Sequence, residues 1–257
     1  MSLDAARNFE PIAAHSAQAR YYRFRTPYLA PVFEGLKDTL ALTERSVLLD
    51  LCCGCGEVAN GIKNHVRHVH AVDGSAEMLA HAPKSEKISY YEADVNKQPL
   101  PLPEIADHML VGRALHWVEE EPLRKIISGN LKGDAHVVVL STQWAGKDEW
   151  VQRYRSVVQR YGAKTVSSGR DFSGREKMAK LGFDFYRKIE NKARFSMNME
   201  YLLGYALANS YGNGYANVAR NIKIIKDELT SCLKNSSVDE RFVTTIGSWA
   251  AVYRRTR

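Results

Sequence analysis

The 257-residue chain has no apolar run approaching the roughly 18 residues of a membrane span. Its longest apolar stretch is Tyr201-Leu-Leu-Gly-Tyr-Ala-Leu-Ala208. The first residues, Met1-Ser-Leu-Asp-Ala-Ala-Arg-Asn8, lack the apolar core of a signal peptide, so a cytoplasmic location is expected. There is no low-complexity segment, no internal repeat and no block of five or six like charges. Lys and Arg exceed Asp and Glu by 36 to 29, a net charge of +7. The basic residues are scattered, densest at Arg254-Arg-Thr-Arg257, which fits a solvated surface better than a nucleic-acid face. With 45% hydrophobic and 25% charged residues, a disordered chain, a coiled coil and a collagen-like fibre are excluded. The length fits one sizeable α/β domain carrying a helical insert.

Cysteine is scarce, and three of the four share one loop: Cys52, Cys53 and Cys55, with Cys232 alone. Cys52 and Cys55 form a C-x-x-C, followed by His65, His68 and His70. The spacing does not suit a zinc finger, because the histidines stand too close together. A thioredoxin-like pair would sit at a helix start after a strand, as this one does. The expected role is nevertheless that of small buried thiols filling a tight turn, with no metal.

What remains is a regular alternation. Residues 1–20 read as a polar helix, and 31–42 as another helix. Ser46-Val-Leu-Leu-Asp-Leu51 reads as a buried strand, followed by the loop Cys52–Gly56 and a helix to about His65. His68-Val-His-Ala-Val-Asp73 is a second strand, and Ser75 caps a helix carrying Met78, Leu79 and Ala82. Lys87–Ala93, Asp107–Gly112 and Ala135–Leu140 are strands three to five, with a helix through Leu123, Ile126, Ile127 and Leu131. Strand and helix thus alternate five times over 46–141, which parallel strands with right-handed crossovers satisfy. Trp150, Val151, Tyr154, Val157, Val158 and Tyr161 mark an amphipathic helix. Phe183, Phe185, Ile189, Ala193 and Phe195 alternate with polar residues, as in a half-exposed antiparallel strand. Residues 198–235 read as helical with a break at Tyr211-Gly-Asn-Gly-Tyr215, and Thr245–Tyr253 as a last strand. The expected fold is α/β: a doubly wound, Rossmann-like, mostly parallel seven-stranded sheet with an antiparallel C-terminal strand and a helical lid. The expected domains are an N-terminal helical cover over 1–45 and a main domain over 46–257, with lid insertions at about 143–175 and 198–240.

The chemistry concentrates at Val47-Leu-Leu-Asp-Leu-Cys-Cys-Gly-Cys-Gly56, a strand running through a small-residue loop into a helix. Glycine there lets backbone approach a ligand closely. Gly54-x-Gly56-x-x-Ala59 also satisfies a dinucleotide fingerprint. Asp50, however, would repel a pyrophosphate and suits a ligand bearing an ammonium or sulfonium group. Acidic residues end all of the first three strands: Asp50, Asp73 and Asp94. A carboxylate ending the second strand suits ribose hydroxyls, and one ending the third suits an adenine amino group.

Asp50-Leu-Cys-Cys-Gly-Cys-Gly56 resembles the D-x-G-x-G-x-G loop of class I S-adenosylmethionine-dependent methyltransferases. Ala71-Val-Asp-Gly-Ser-Ala-Glu-Met-Leu79 and Glu92-Ala-Asp-Val95 resemble that family's next two motifs. Val111-Gly-Arg-Ala-Leu-His-Trp117 resembles the strand-four motif of its small-molecule branch, the ubiquinone-biosynthesis-like and trans-aconitate-like enzymes of type 11. Tyr22-Arg-Phe-Arg-Thr-Pro-Tyr28 resembles the element that precedes the fold in that branch. The family's first loop glycine is Cys52 here and its usual Thr is Cys55. The loop is expected to keep its course, with Cys52 avoiding a glycine-only φ. In the arginine element, Thr26 precedes Pro27, which places Arg25 one residue out of register.

The resemblance implies S-adenosylmethionine as cofactor, S-adenosylhomocysteine as product, and methyl transfer to O, N or C of a small, aromatic or anionic acceptor by in-line displacement. It implies a set of cofactor-binding residues. Gly54 allows close approach, Asp73 holds the ribose, Asp50 faces the charged end, Asp94 with Val95 takes the adenine edge, and Met78 packs on its face. Tyr22 and Arg25 close on the methionine carboxylate, and Arg113 stands near the sulfur or the acceptor. Trp117, Trp144, Tyr205 and Tyr211 are pocket candidates, and His116 is the candidate base where the acceptor has a proton to lose. No membrane partner is expected, and the state is monomer or homodimer. Three alternatives remain open. A nucleic-acid methyltransferase is disfavoured by Arg113-Ala-Leu-His-Trp117 where its strand-four signature would stand. An NAD(P) oxidoreductase is disfavoured by the lack of a Tyr-x-x-x-Lys dyad and by Asp50. The third is a non-catalytic cofactor-binding protein.

Overall fold

The computed structural model describes residues 18–100, 102–163, 174–210, 213–237 and 239–256. Most of the helix expected over 1–20, part of the expected lid at 164–173, and Tyr211 lie outside these residues. After a 3₁₀ turn at Ala19–Phe24, the regular elements begin with α1 (Ala30–Thr39), β1 (Val47–Leu51), α2 (Glu57–Ile62), β2 (His68–Asp73) and α3 (Ala76–Ala80). Next come β3 (Ile88–Glu92), β4 (His108–Gly112), α4 (Glu120–Asn130), β5 (His136–Trp144), α5 (Glu149–Arg160) and α6 (Arg175–Lys180). The chain continues through β6 (Phe183–Met197), α7 (Met199–Ala208), α8 (Asn213–Arg220), α9 (Ile222–Leu233) and β7 (Phe242–Arg255). Among the described residues no helix is long and apolar enough to cross a membrane.

The seven strands form one sheet in the order β3-β2-β1-β4-β5-β7-β6. β1 runs parallel to β2 and β4, β2 to β3 and β4 to β5, while β7 lies antiparallel to β5 from His136↔Arg254 to Trp144↔Ile246. The Rossmann-like, mostly parallel sheet expected from the sequence is therefore present, with an antiparallel C-terminal strand. All five residues of β1 are buried, as a central strand covered on both faces requires. Its side chains alternate between two cores. Leu48 packs on one face with Leu36, Phe33, Val58 and Ile62 from α1 and α2. Leu49 and Leu51 pack on the other with Leu123, Ile126 and Ile127 of α4 and Met178 of α6. The chain leaves β1 toward β2 and returns at β4 on the opposite side, so the strand order reverses between β1 and β4. Ligands of open α/β sheets bind at such a reversal, beyond the carboxyl ends of the strands.

Several boundaries differ from the expectation. No helix is described between β3 and β4, so the alternation is not fully regular. That span contains Pro99, Pro101 and Pro103, which oppose helix formation. β5 runs on to Trp144, four residues past the expected end, because Ser141–Trp144 stay paired to β7. The break near 211 is shorter than expected, since α8 starts at Asn213 and includes Gly214. In β6 the residues 184–188 are all exposed, Phe185 by 40%, and alternation begins only beyond them.

By its internal contacts the described chain divides into two units, one of residues 26–145, 174–194 and 245–256 and the other of 18–25, 146–163 and 195–244. The second is largely helical and has its own interior. Phe24 packs against Gly204, where an added Cβ would lie 2.2 Å from the ring. Tyr154 Oη donates to the Leu202 carbonyl at 2.9 Å, and Trp150 Nε1 to that of Val243 at 3.1 Å.

The turn leaving β1 shows why the sequence reads as it does. Cys52, Gly54 and Gly56 have φ of 55°, 57° and 72°. Three alternate residues are thus left-handed, the region glycine enters without steric cost. Cys52 was expected to avoid such a φ; it instead occupies the left-handed region, which an L-residue reaches at a cost of about 1–2 kcal/mol. At Gly56 a Cβ would also lie 2.5 Å from Tyr90 Oη. Cys52→Val adds apolar bulk but also β-branching at a left-handed position. Urea denaturation should find it less stable than Cys52→Gly by on the order of 1–2 kcal/mol; the reverse order would refute this backbone conformation.

Candidate functional site

Asp73, the last residue of β2, ties the carboxyl ends of β1 and β2 together. Its Oδ2 accepts the Gly54 N–H at 2.8 Å and its Oδ1 the Ser75 N–H at 2.9 Å. One residue earlier, the Val72 carbonyl accepts the Cys53 N–H at 2.9 Å. The β1–α2 turn is therefore held by β2 at two points. The N-cap Ser75, whose Oγ accepts the Met78 N–H at 3.3 Å, is held by the same carboxylate. Burial raises the Asp73 pKa, opposed by hydrogen bonds from Gly54, Ser75 and Gly74. A carboxylate has about four acceptor positions, so the bonds from Gly54, Ser75 and Gly74 do not exhaust it.

Asp50 is fully buried. Its Oδ2 accepts the Ala59 N–H at 2.9 Å, which satisfies an amide in the first turn of α2. Its Oδ1 has no hydrogen-bond partner. Burial pushes the carboxyl up to about 8, and the charges of Asp73 and Glu57 add to the rise. Asp94 lies just beyond β3 and forms a local turn in which its Oδ1 accepts the Asn96 N–H at 3.1 Å. Its Oδ2 is 3.1 Å from Lys97 Nζ. All three carboxylates act on one group: burial first, then Asp73, Asp50 and Asp94, drive the Cys52 thiol far above its ordinary range. The Cys53 thiol rises for the same leading reason. Burial thus favours the neutral thiol at Cys52 and Cys53. Among the described residues no three His, Cys, Asp or Glu side chains are grouped to hold a metal ion.

The other predicted residues are spread over several elements and both units. Met78 is buried on α3 with its Sδ 3.8 Å from Cys55 Sγ, and Val95 is buried beside Asp94. Arg113 follows β4 with φ of 58°. Its guanidinium donates to the Thr26 carbonyl and to Thr142 Oγ1, both at 3.1 Å, pairs with Glu57 and lies 4.9 Å from the centre of the Tyr28 ring. The side chain expected near the sulfur is thus committed to an internal network. His116 is exposed on a 3₁₀ turn, Leu115–Trp117, with its ring 4.6 Å from that of the half-buried Trp117. Trp144 is buried at the end of β5. Tyr22, Arg25 and Tyr205 belong to the helical unit. There the Arg25 guanidinium lies 5.1 Å from the Tyr22 ring and donates to the Ala208 carbonyl at 3.3 Å, and Tyr205 stands 6.4 Å from Tyr154.

Three residues were not anticipated. Glu57 opens α2 and holds Arg113. Asn96 joins the turns after β3 and β4, since its Nδ2 donates to the Trp117 carbonyl and its Oδ1 accepts the Glu119 N–H, each at 2.9 Å. Lys177 of α6 donates to the Leu115 and Val118 carbonyls at 3.0 and 2.6 Å, and burial lowers its pKa. The Asp-x-Asn spacing at Asp94 and Asn96 was the one local signal available; Lys177 is about 60 residues from its partners and left none.

The buried Asp50 gives a signed pH dependence. Its folded-state pKa, about 8, lies above the ordinary 3.8. The fold therefore holds the proton more tightly than the unfolded chain, and this contribution to stability is lost as pH rises from about 4 to about 8. Asp50→Asn keeps an oxygen for the Ala59 N–H and cannot ionise. Its stability relative to the native protein should be higher at pH 8.5 than at pH 5 in urea denaturation at both values, and a pH-independent difference would refute a neutral Asp50.

Residues 48–130 match the family described as a methyltransferase domain. A search of curated proteins gives no match. A protein from Anaeromyxobacter dehalogenans described as a type II methyltransferase superposes with a TM-score of 0.62 at 20% identity, over 91% of this chain and 97% of its own. YcgJ of Bacillus subtilis gives 0.52 at 12% identity over 89% and 100%, and YjhP of E. coli 0.52 at 14% over 93% and 99%. These likenesses establish the fold, and the domain match falls on the strands, the turn and the carboxylates described above. Over residues 48–130 the chain is similar to a methyltransferase domain, and that stretch lies within a Rossmann-like fold.

Proposed function

We propose that this protein methylates a small-molecule acceptor and that the turn after β1 holds the cofactor. The observation that carries the reading is Asp73, at the strand-order reversal, accepting the N–H of the left-handed Gly54 at 2.8 Å. The residues fit the group. Asp73 keeps acceptor capacity for ribose hydroxyls, and the left-handed Gly54 presents no side chain. Among the described residues Asp50 Oδ1 has no partner, and a cationic ligand beside it would lower its raised proton affinity and favour the carboxylate. When bound, the cofactor supplies a methyl group already activated on a sulfonium sulfur.

In this reading the protein's work is positioning and desolvation. Asp73 accepts from the ribose, Asp94 and the Val95 amide take the adenine edge, and Met78 supports its face. Asp50 faces the charged end. Trp117 and Trp144 are assigned to the acceptor. His116, exposed on its turn, takes a proton where the acceptor loses one. Arg113 contributes through its hold on Glu57 at the start of α2.

Asp73→Ala removes a charged hydrogen-bond acceptor. It should weaken S-adenosylhomocysteine binding by about 1–3 kcal/mol, roughly 5- to 150-fold, in isothermal titration calorimetry. Asp73→Asn, which keeps one acceptor oxygen, should lose less. Unchanged affinity in both variants would reject the assignment, and stronger thermal stabilisation by NADH than by S-adenosylhomocysteine would favour an oxidoreductase.

A further inference from the structure

Asn96 stands between two turns that the sheet keeps apart. The turn after β3 carries Asp94, and the turn after β4 carries His116 and Trp117. β2 and β1 lie between these strands in the sheet, which separates β3 from β4 by roughly 14 Å at the usual inter-strand spacing. No backbone ladder can cross that gap. The two turns meet beyond the strand ends, where the Asn96 side chain joins them. Its own N–H is accepted by Asp94 Oδ1 at 3.1 Å. Its amide then uses both ends on the far turn, donating to the Trp117 carbonyl and accepting from the Glu119 N–H, each at 2.9 Å. Lys177 holds the same turn by the Leu115 and Val118 carbonyls. The segment 115–119 is therefore clamped, and the clamp on its Asp94 side is Asn96.

From this geometry we infer that Asn96 is a positioning residue: it couples filling of the adenine side, at Asp94, to placement of the acceptor-side turn that carries His116 and Trp117. The inference rests on the cofactor assignment proposed above. A ligand held by Asp94 fixes the turn from which Asn96 projects, and the two amide bonds pass that restraint to 115–119. The bonds to the second turn come from Asn96.

Hydrogen exchange of the full-length protein, with and without S-adenosylhomocysteine, tests the coupling. In the native protein the ligand should slow exchange at 52–56 and also at 115–119. In Asn96→Ala the protection at 52–56 should persist, while ligand-dependent protection at 115–119 falls at least about fivefold, as expected for two lost hydrogen bonds. Asn96→Asp keeps the acceptor for the Glu119 N–H and loses the donor to Trp117, so it should fall between the two. If Asn96→Ala speeds exchange at 115–119 equally with and without ligand, the role is structural only and the inference is overturned. The same holds if the native 115–119 segment ignores the ligand while 52–56 responds. If 52–56 does not respond in any variant, the cofactor assignment falls and takes the inference with it.

Discussion

The carboxylate of Asp73 is the interaction on which the arrangement depends. It receives the Gly54 amide from one side and the Ser75 amide from the other, and so fixes the exit of β1 and the entry to α3 with one charge. The cost is burial of an acid whose proton affinity rises in consequence. Backbone amides offset that cost because they are aimed at the charge by two turns that glycine and a capping serine make accessible. Removing the carboxylate would leave both amides to find other partners, with the Cys53 N–H to the Val72 carbonyl still tying the turn to β2.

The remaining charges follow from the same crowding. Asp50 lies at the centre of the sheet with one oxygen on the α2 amides and the other unpartnered. Near neutral pH it is largely protonated, which softens the repulsion among three neighbouring acids. Arg113, left-handed after β4, answers Glu57 and two oxygens rather than facing open solvent. Two of the non-glycine residues with positive φ, Cys52 and Arg113, thus flank the crevice, consistent with backbone strain gathering at functional sites.

Much of this was readable from the amino acids. β2 was placed at its observed ends, His68 and Asp73. The Ser75 cap followed from residue type alone. The sheet's central strands announced themselves as unbroken apolar runs. The unread parts depend on contacts across long stretches of chain. Arg113 finds its partners 87, 29 and 56 residues away, and no local pattern encodes that choice. The extension of β5 to Trp144 depends on β7, more than 100 residues later. The left-handed Cys52 was missed because the thiol's small size drew attention from its φ, which the alternation with Gly54 and Gly56 sets. The Asp50 oxygen pair was half legible: its position in the strand pointed inward, but its bond to Ala59 needed the fold of α2.

A crystal structure of the protein grown with S-adenosylhomocysteine tests the central claim most directly. The account predicts the ribose hydroxyls on Asp73, the backbone of Gly54 against the ligand and the purine beside Asp94 and Val95. A nucleoside bound elsewhere, or a metal ion seated among Cys52, Cys53 and Cys55, would contradict it.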